Sequence, residues 1–264
     1  MAAFRDTILR AVRLFVDDQG LSWAGAIGLY LFLSVPPLIV AAAYLGSIVA
    51  PAGEAESFVL EQVAKYLPAK QSLLEGIVSH RPDSAAGGAL SVALLLFSGS
   101  RAFAALASAV NVMWQRIDGL TFWRRQLLRA GMLAVSLALL LAAALGEAII
   151  GALAANSGND DSIWLLDWQV LPTLLLFAFL LVSYRVLPRE PVRWRHAALG
   201  AAVAAAGVRL AQAVVGMLVE AGWLETPYGD LAGTALLVTW SLVVGAVILF
   251  GAALTAALKG REPG

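Results

Sequence analysis

One long apolar stretch with a single arginine near its middle constrains this chain more than any other feature. It runs from Gly87 to Trp114, is long enough to cross a bilayer as a helix, and holds Arg101. A guanidinium at membrane depth costs at least about 2.5 to 3.5 kcal/mol on insertion scales, so Arg101 must face a helix bundle, a water-filled cavity or an acidic partner. We therefore expect the other helices to pack around this stretch.

The composition places the chain in a membrane. It has 264 residues, of which 60% are hydrophobic and 14% charged, and this balance is too apolar for an ordinary soluble domain. The formal net charge is zero, so the charge excess typical of nucleic-acid binding is missing, and no nucleic-acid partner is expected. Without cysteine the chain offers no disulfide, thiolate metal site or cysteine nucleophile.

The pattern predicts an all-α polytopic protein with a single membrane domain over residues 1–264. The first apolar run continues past the length of a signal peptide, so we expect it to be retained as a membrane helix. Residues 1–20 are predicted to form a cytoplasmic interfacial helix, and 51–85 amphipathic helices on the periplasmic side, broken at Pro68. Six transmembrane helices are predicted over 21–50, 87–114, 130–154, 168–187, 197–219 and 231–258.

The basic residues predict the orientation of these six helices. With the N-terminus inside, 13 lysines and arginines lie on the cytoplasmic side and 3 on the periplasmic side, as the positive-inside rule requires. Both termini are therefore predicted to be cytoplasmic. The inside set is Arg5, Arg10, Arg13, Arg116, Arg124, Arg125, Arg129, Arg185, Arg189, Arg193, Arg195, Lys259 and Arg261, and the outside set is Lys65, Lys70 and Arg81.

Short motifs along the chain, taken together, resemble the YihY/virulence factor BrkB family of bacterial inner-membrane proteins. No single motif is catalytic, but their order and spacing are specific and cover nearly the whole length. They are the stretch from Asp17 to Ser34, with Pro37, Leu67-Pro68, Ser100-Arg101, Ala105-Leu106, Asn111 to Trp114, Tyr184-Arg185, Leu187-Pro188, Trp194-Arg195, Gly200-Ala201, Tyr228-Gly229, Trp240 and Gly251-Ala252.

The resemblance implies a six-helix protein of the inner membrane whose function is poorly defined. Family members were once called ribonuclease BN, and the virulence name implies a role in resistance to serum killing. The chain departs from the family pattern at Val35-Pro36 and at Pro227, which lie at predicted bends.

Arg101 and Arg209 are the main candidates for a functional site. At 1.5 Å per residue, each is about 20 Å from the cytoplasmic boundary, and each lies in the middle span of a three-span half. Two halves of three spans have opposite topologies, as in transporters built from inverted repeats. The arginines are predicted either to line a polar cavity that binds an anionic headgroup, or to form a structural ion pair with Glu147 in the span 130–154.

Several other residues are candidates of lower weight. Asn111 is predicted to make an interhelical hydrogen bond and is assigned to the same intramembrane polar site. Pro36 and Pro37 are predicted to kink or interrupt the first span, and Asp230 to be the N-cap of the last. With these prolines, the candidate gate or hinge residues are Tyr228, Gly229 and Asp230.

The sequence does not favour an enzyme. The only histidines, His80 and His196, are predicted on opposite sides of the membrane. They therefore cannot supply the paired acid and base that RNA hydrolysis would need at one site, and the ribonuclease name has no support in the sequence. We predict no catalytic, cofactor or metal site. Transport or flipping of an anionic amphiphile or small solute is the leading function, and the alternative is an envelope scaffold whose outer helices bind a partner or membrane lipids. The sequence leaves the oligomeric state open.

Overall fold

The fold described here is that of a computed structural model. It describes residues 2–47, 53, 57–61, 63, 76–77, 85–114, 123, 126–127, 130–131, 134, 170–188, 190–221 and 229–260. These ranges are helical apart from short turns, and they contain no strand. Their long helices are α1 (Ala2–Asp17), α2 (Gly20–Gly46), α3 (Ala85–Met113), α4 (Val170–Val186), α5 (Trp194–Glu220) and α6 (Ala232–Lys259), and a 3-10 turn, Gly229–Leu231, leads into α6.

Four of the six predicted spans are confirmed as helices long and apolar enough to cross a membrane. These are α2, α3, α5 and α6. The predicted span 168–187 is the shorter α4, whose 17 residues reach the lower limit of a membrane-spanning helix. The span 130–154 lies outside the described residues except for 130, 131 and 134, so the count of six stays a prediction.

The first helix ends in a tight turn before the first span. The backbone amides of Asp18 and Gln19 donate to the carbonyls of Leu14 and Val16, and Gln19 takes a left-handed conformation with φ of 55°. A left-handed residue is a common way to end an α-helix because it redirects the chain without leaving carbonyls unsatisfied. Gly20 follows directly against Phe15, where a side chain would collide with the ring. This turn separates α1 from α2.

Of the two predicted effects of Pro36 and Pro37, the interruption is wrong and the kink stays a prediction. Both prolines lie inside α2, which continues without a break from Gly20 to Gly46. Each proline lacks the N–H that would bond to the carbonyl one turn earlier, yet a helix in a membrane tolerates this where neighbouring groups pack closely.

Among the described helices, α6 is the most buried, so the expectation that the others pack around the Arg101 helix is wrong. In the most apolar part of α6, 61% of the residues are buried, against 28% in α3. The physical reason is composition. α6 is apolar on every side and can be surrounded by other helices, whereas α3 turns a face with Arg101 outward.

The chain forms two compact units. Unit 1 comprises residues 1–20, 107–209 and 247–264, and unit 2 comprises 21–106 and 210–246. α3, α5 and α6 each contribute one part to each unit. The units are therefore not the two three-span halves expected from the sequence, and the inverted repeat stays a prediction.

In unit 1, α1 packs against the end of α6. Ala11 is fully buried with Leu254 and Ala257, and the Phe15 and Phe250 rings meet edge to face with centroids 6.3 Å apart. Arg10 donates to the carbonyl of Gly260 at 3.1 Å. The apolar face predicted for residues 1–20 is thus partly covered by protein.

In unit 2, the first and last spans approach to backbone contact. A Cβ on Gly28 would lie 2.9 Å from the Leu242 backbone, and one on Gly245 would lie 2.7 Å from the Ala24 carbonyl oxygen. Further along, Val35 and Ile39 of α2 and Leu237 of α6 enclose Val59, which belongs to the region predicted as a periplasmic amphipathic helix. The described residues of that region, 53, 57–61, 63 and 76–77, are helical.

Candidate functional site

Arg101 lies on an exposed apolar face of α3, in unit 2. Its guanidinium carbon is 5.5 Å from the centre of the Phe97 ring, one turn earlier. Leu90, Leu94 and Phe97 occupy the same face of the helix and are 59%, 48% and 59% exposed. No carboxylate lies within ion-pair distance of Arg101 in the part of the chain that the structure describes. A mid-span guanidinium therefore faces outward from the protein among apolar side chains.

Arg209 has a different setting, on α5 in unit 1. Its side chain is half-buried, and Nε donates to Thr173 Oγ1 of α4 at 2.6 Å. Two residues earlier, Gly207 lets Val247 of α6 come close, since a Cβ there would lie 2.7 Å from a Val247 methyl group. Sequence reasoning named Glu147 as a possible partner of one of the two arginines and missed Thr173. The available signal was Thr173 itself, which is the only hydroxyl residue in the apolar stretch 170–182.

The two arginines belong to different compact units, Arg101 to unit 2 and Arg209 to unit 1. Glu147 lies outside the described residues. A shared cavity of Arg101 and Arg209, and an ion pair of either with Glu147, both stay predictions.

The interhelical hydrogen bond predicted for Asn111 is formed, although its acceptor lies in a connector rather than in a helix. Asn111 Nδ2 donates to the carbonyls of Ala107, at 2.7 Å, and Leu187, at 3.0 Å. Leu187 follows α4, 76 residues along the chain. The side chain is only 7% exposed, and its Oδ1 is buried without a hydrogen-bond partner among the described residues.

Two charged side chains of unit 1 lie close to the end of α3. Lys259, the last residue of α6, forms an ion pair with Glu190 in the connector between α4 and α5, and both are about 70% buried. Its ammonium is also 5.2 Å from the centre of the Trp114 ring. Partly buried pairs of this kind gain more from their Coulomb attraction than exposed ones because less water screens them. The ends of α3, α4 and α6 thus meet in one polar cluster, which we call the inner-end cluster: Asn111, Trp114, Leu187, Glu190 and Lys259.

Next to this cluster, three helices meet with almost no space between their backbones. Tyr184 of α4 is 1% exposed, and its hydroxyl donates to the carbonyl of Ile248 in α6 at 2.5 Å. A Cβ on Gly251 of α6 would lie 2.7 Å from that hydroxyl oxygen and 2.8 Å from the carbonyl oxygen of Gly200 in α5. Buried tyrosine hydroxyls usually find such an acceptor, and the glycines allow this one to be reached.

Asp18 lies at the turn between α1 and α2. Burial raises the pKa of its carboxyl above the ordinary value, and the neighbouring Asp17 charge raises it further. Its Oδ2 is buried without a hydrogen-bond partner in the described part of the chain. The ionised form of Asp18 is therefore less stable here than in water.

The predicted gate residues are only partly described. Pro36 and Pro37 lie half-buried within α2, and Tyr228 lies outside the described residues. Gly229 has a φ of 49° and opens the 3-10 turn that also contains Asp230. The 3-10 turn leads directly into α6, and the N-cap role of Asp230 stays a prediction. In the described ranges, no group of three or more His, Asp or Glu residues is placed to hold a metal ion.

A comparison with family profiles decides the relationship that the motifs suggested. The profile of the virulence factor BrkB family matches residues 11–264. The chain belongs to this family. Unit 1 brings together several of the motifs that carried the resemblance, because Asn111 contacts Leu187, Trp114 contacts Lys259 and Tyr184 lies against Gly251.

Curated relatives are described as membrane proteins and no further. A UPF0761 membrane protein of Tolumonas auensis is 36% identical over 105 residues, which is 36% of this chain and 35% of the relative. One of Vibrio cholerae is 28% identical over 53% of this chain and 51% of the relative, and one of Alcanivorax borkumensis is 26% identical over 94% and 59%. The chain thus spans between a third and three fifths of the length of these relatives. No solved structure matches it.

Family membership and the long apolar helices together establish the location. This BrkB-family protein is a multi-pass protein of the bacterial inner membrane.

Proposed function

We propose that this protein moves an anionic amphiphile across or within the inner membrane, with Arg101 as the group that binds the anionic head. The observation that carries the proposal is the position of Arg101 midway along α3, on an exposed apolar face and without a carboxylate partner among the described residues. A guanidinium in such a place is costly unless an anion reaches it.

The chemistry of the face fits an amphiphile better than a simple ion. A guanidinium can bind a phosphate or carboxylate through two parallel hydrogen bonds, which adds geometric specificity to the charge attraction. The exposed Leu90, Leu94 and Phe97 side chains lie on the same face as Arg101 and offer apolar surface for acyl chains. The substrate would approach from the lipid and keep its chains there while the head engages Arg101.

Arg209 is proposed as a second anion-binding group. Its Nε donates to Thr173 Oγ1, which orients the guanidinium where α5 meets α4. With both arginines at a similar predicted depth, the anionic head of the substrate would have two guanidinium groups to bind. No covalent step is required, so the proposed protein is not an enzyme and uses no cofactor.

The topology proposed for this activity has six spans with both termini in the cytoplasm. The contact between α1 and the end of α6 supports it, because termini that meet on one side of a membrane require an even number of crossings. The basic residues of the described connectors support the cytoplasmic assignment.

Lipid transfer in vesicles tests the role of Arg101 directly. Purified protein is reconstituted with a fluorescent phosphatidylglycerol, and the fraction accessible to a membrane-impermeant quencher is followed over time. Arg101→Gln should slow the transfer by roughly 10- to 100-fold, because charge-assisted hydrogen bonds contribute roughly 1.5 to 3 kcal/mol. Arg101→Lys should recover part of the rate, since it keeps the charge but loses the fork.

Arg195→Gln is the matched control, because Arg195 is an exposed arginine outside the predicted site. It should transfer lipid at the wild-type rate. Folded Arg101→Gln protein that also kept the wild-type rate would refute the proposal. A neutral phosphatidylcholine probe reports whether the head must be anionic.

An envelope scaffold is the second candidate, favoured by one observation. Phe58, in the segment predicted to be periplasmic, is 46% exposed although its neighbour Val59 is buried against α2 and α6. An exposed aromatic residue on a fixed helix is a plausible contact for a partner protein. Wild-type protein without transfer activity, together with loss of serum resistance in a Phe58→Ala strain, would favour the scaffold.

A further inference from the structure

The inner-end cluster contains two buried polar atoms that have no hydrogen-bond partner among the described residues. One is Asn111 Oδ1, an acceptor, and the other is Trp114 Nε1, a donor. Buried donors and acceptors in native proteins are almost always paired, with protein groups or with bound molecules. A donor and an acceptor orphaned three residues apart on one helix therefore point to a shared ligand.

The helix places the two atoms on the same side. Residues three apart on a helix are neighbours on its surface, and the Trp114 amide still donates to the Val110 carbonyl at 3.1 Å, so the helical geometry extends to Trp114. Helical side chains lean toward the N-terminus of their helix, so we infer that the indole lies over the turn that holds Asn111.

The orientation of the Asn111 amide is fixed by its other contacts. Its nitrogen faces two carbonyl oxygens, those of Ala107 and Leu187, and only an N–H group can bond to both. Exchange of the nitrogen and oxygen positions would bring three oxygens together. The unpartnered atom is therefore an acceptor.

The charge around the site selects a neutral ligand. Lys259 is near the Trp114 ring but is paired with Glu190, so the described charges of the cluster cancel. An anion would face the Asn111 oxygen, and a cation would face the Trp114 N–H. A hydroxyl group suits both atoms, because it can accept from the indole and donate to the amide.

We propose that Asn111 and Trp114 form a binding site for a hydroxyl group at the inner end of α3. The hydroxyl comes either from an ordered water or from the glycerol head of a phospholipid. The site lies in unit 1 and is independent of the anionic-head site proposed at Arg101 in unit 2.

Indole NMR of the full chain tests the site. The protein is labelled with 15N-tryptophan and held in a detergent without hydroxyl groups, and Trp114→Phe identifies the Trp114 signal among the eight tryptophans. We expect its indole proton to exchange roughly 5- to 10-fold more slowly than that of Trp194, which is 59% exposed.

Two lipids then distinguish the two sources of the hydroxyl. Phosphatidylglycerol carries glycerol hydroxyls, and phosphatidylcholine carries none. A shift of the Trp114 signal with phosphatidylglycerol alone assigns the lipid head, and a cross-peak to water that neither lipid changes assigns a water. Rapid exchange without a cross-peak, and no response to either lipid, would overturn the proposal.

Thermal unfolding provides an independent measurement. If the indole N–H is bonded to a hydroxyl, Trp114→Phe lowers the Tm, and Trp194→Phe lowers it less. If the N–H has no partner, its removal relieves a buried unsatisfied donor, and an unchanged or higher Tm contradicts the site.

Discussion

Asn111 is the residue whose structural role is best defined. It is nine-tenths buried and joins α3 to the connector after α4 through the Leu187 carbonyl. We expect Asn111→Ala to reduce the free energy of unfolding by roughly 1 to 3 kcal/mol, because the Leu187 carbonyl loses its side-chain donor in a buried place. The measurement is thermal or denaturant unfolding in detergent. Ser108→Ala, at an exposed position on the same helix, should have little effect, and equal losses in both variants would contradict this role.

The raised pKa of Asp18 predicts that the stability of the protein depends on pH. Because its pKa is raised in the folded protein, the folded state binds the proton more tightly than the unfolded state does. The protonated Asp18 carboxyl therefore contributes stability that is fully present below the pKa of about 3.9 that it has in the unfolded chain. This contribution is lost as the pH rises through the pKa that Asp18 has in the folded protein. Asp18→Asn should therefore raise the Tm at pH 7.

The increase in Tm caused by Asp18→Asn should become smaller as the pH approaches 4, because the wild-type carboxyl becomes protonated there. The comparison uses Tm values of both proteins over the same pH series in one detergent. Asp6→Asn, at an exposed position on α1, is the control for a general loss of negative charge. A gain that stayed constant across the series would show that the Asp18 charge is not its cause.

At the scale of helices, the close contacts at glycines determine which spans can pack together. A Cβ on Gly28 would lie 2.9 Å from the Leu242 backbone, and one on Gly200 would lie 2.6 Å from the Gly251 carbonyl oxygen. Gly28→Ala and Gly200→Ala should each lower the free energy of unfolding by roughly 1 to 3 kcal/mol, since backbone atoms must move to make room for the added methyl group. Unfolding in detergent measures the loss.

Gly216→Ala is the matched control for these helices, because nothing lies within 4 Å of a Cβ at Gly216. Alanine is the better helix former, so this variant should be neutral or more stable by roughly 0.5 to 1 kcal/mol. If it were as damaging as Gly28→Ala, loss of flexibility and not crowding would explain both.

Helices were predictable from the sequence to within a few residues because the apolar runs and their polar ends determine them. The predicted spans 87–114 and 231–258 correspond to Ala85–Met113 and Ala232–Lys259. Contacts between helices were not predictable in the same way. The Arg209–Thr173 and Tyr184–Ile248 bonds depend on the rotation of each helix about its axis, and a helix that is apolar all round gives no periodicity from which to read that rotation.

The continuity of α2 through its two prolines was not predictable for a related reason. The cost of a proline is a local property of the chain, whereas the tolerance of α2 for two prolines depends on the tertiary surroundings. Of the candidate site, the arginines and Asn111 were found because polar groups in apolar runs are conspicuous. Glu190 and Lys259 were not, since charged residues in connectors are common.

At the scale of the whole molecule, the orientation in the membrane can be measured without background, because the chain has no cysteine. We predict that Gly53→Cys reacts with a membrane-impermeant maleimide added outside spheroplasts, and that Asp6→Cys reacts only after the membrane is opened. Both positions are exposed, so access and not burial determines the result. The reverse labelling would place the N-terminus outside and contradict the positive-inside prediction.

The packing of α1 against the last span has a consequence for biosynthesis. Arg10 and the carbonyl that it binds are 250 residues apart, so α1 leaves the ribosome well before the end of α6 against which it packs. At ordinary rates of synthesis this interval is roughly 10 to 50 s. During that time the Ala11 face of α1 has no protein to cover it, and the membrane surface or a chaperone must shield it. A nascent chain interrupted before α6 would expose this face permanently, which would mark it for quality control by proteases.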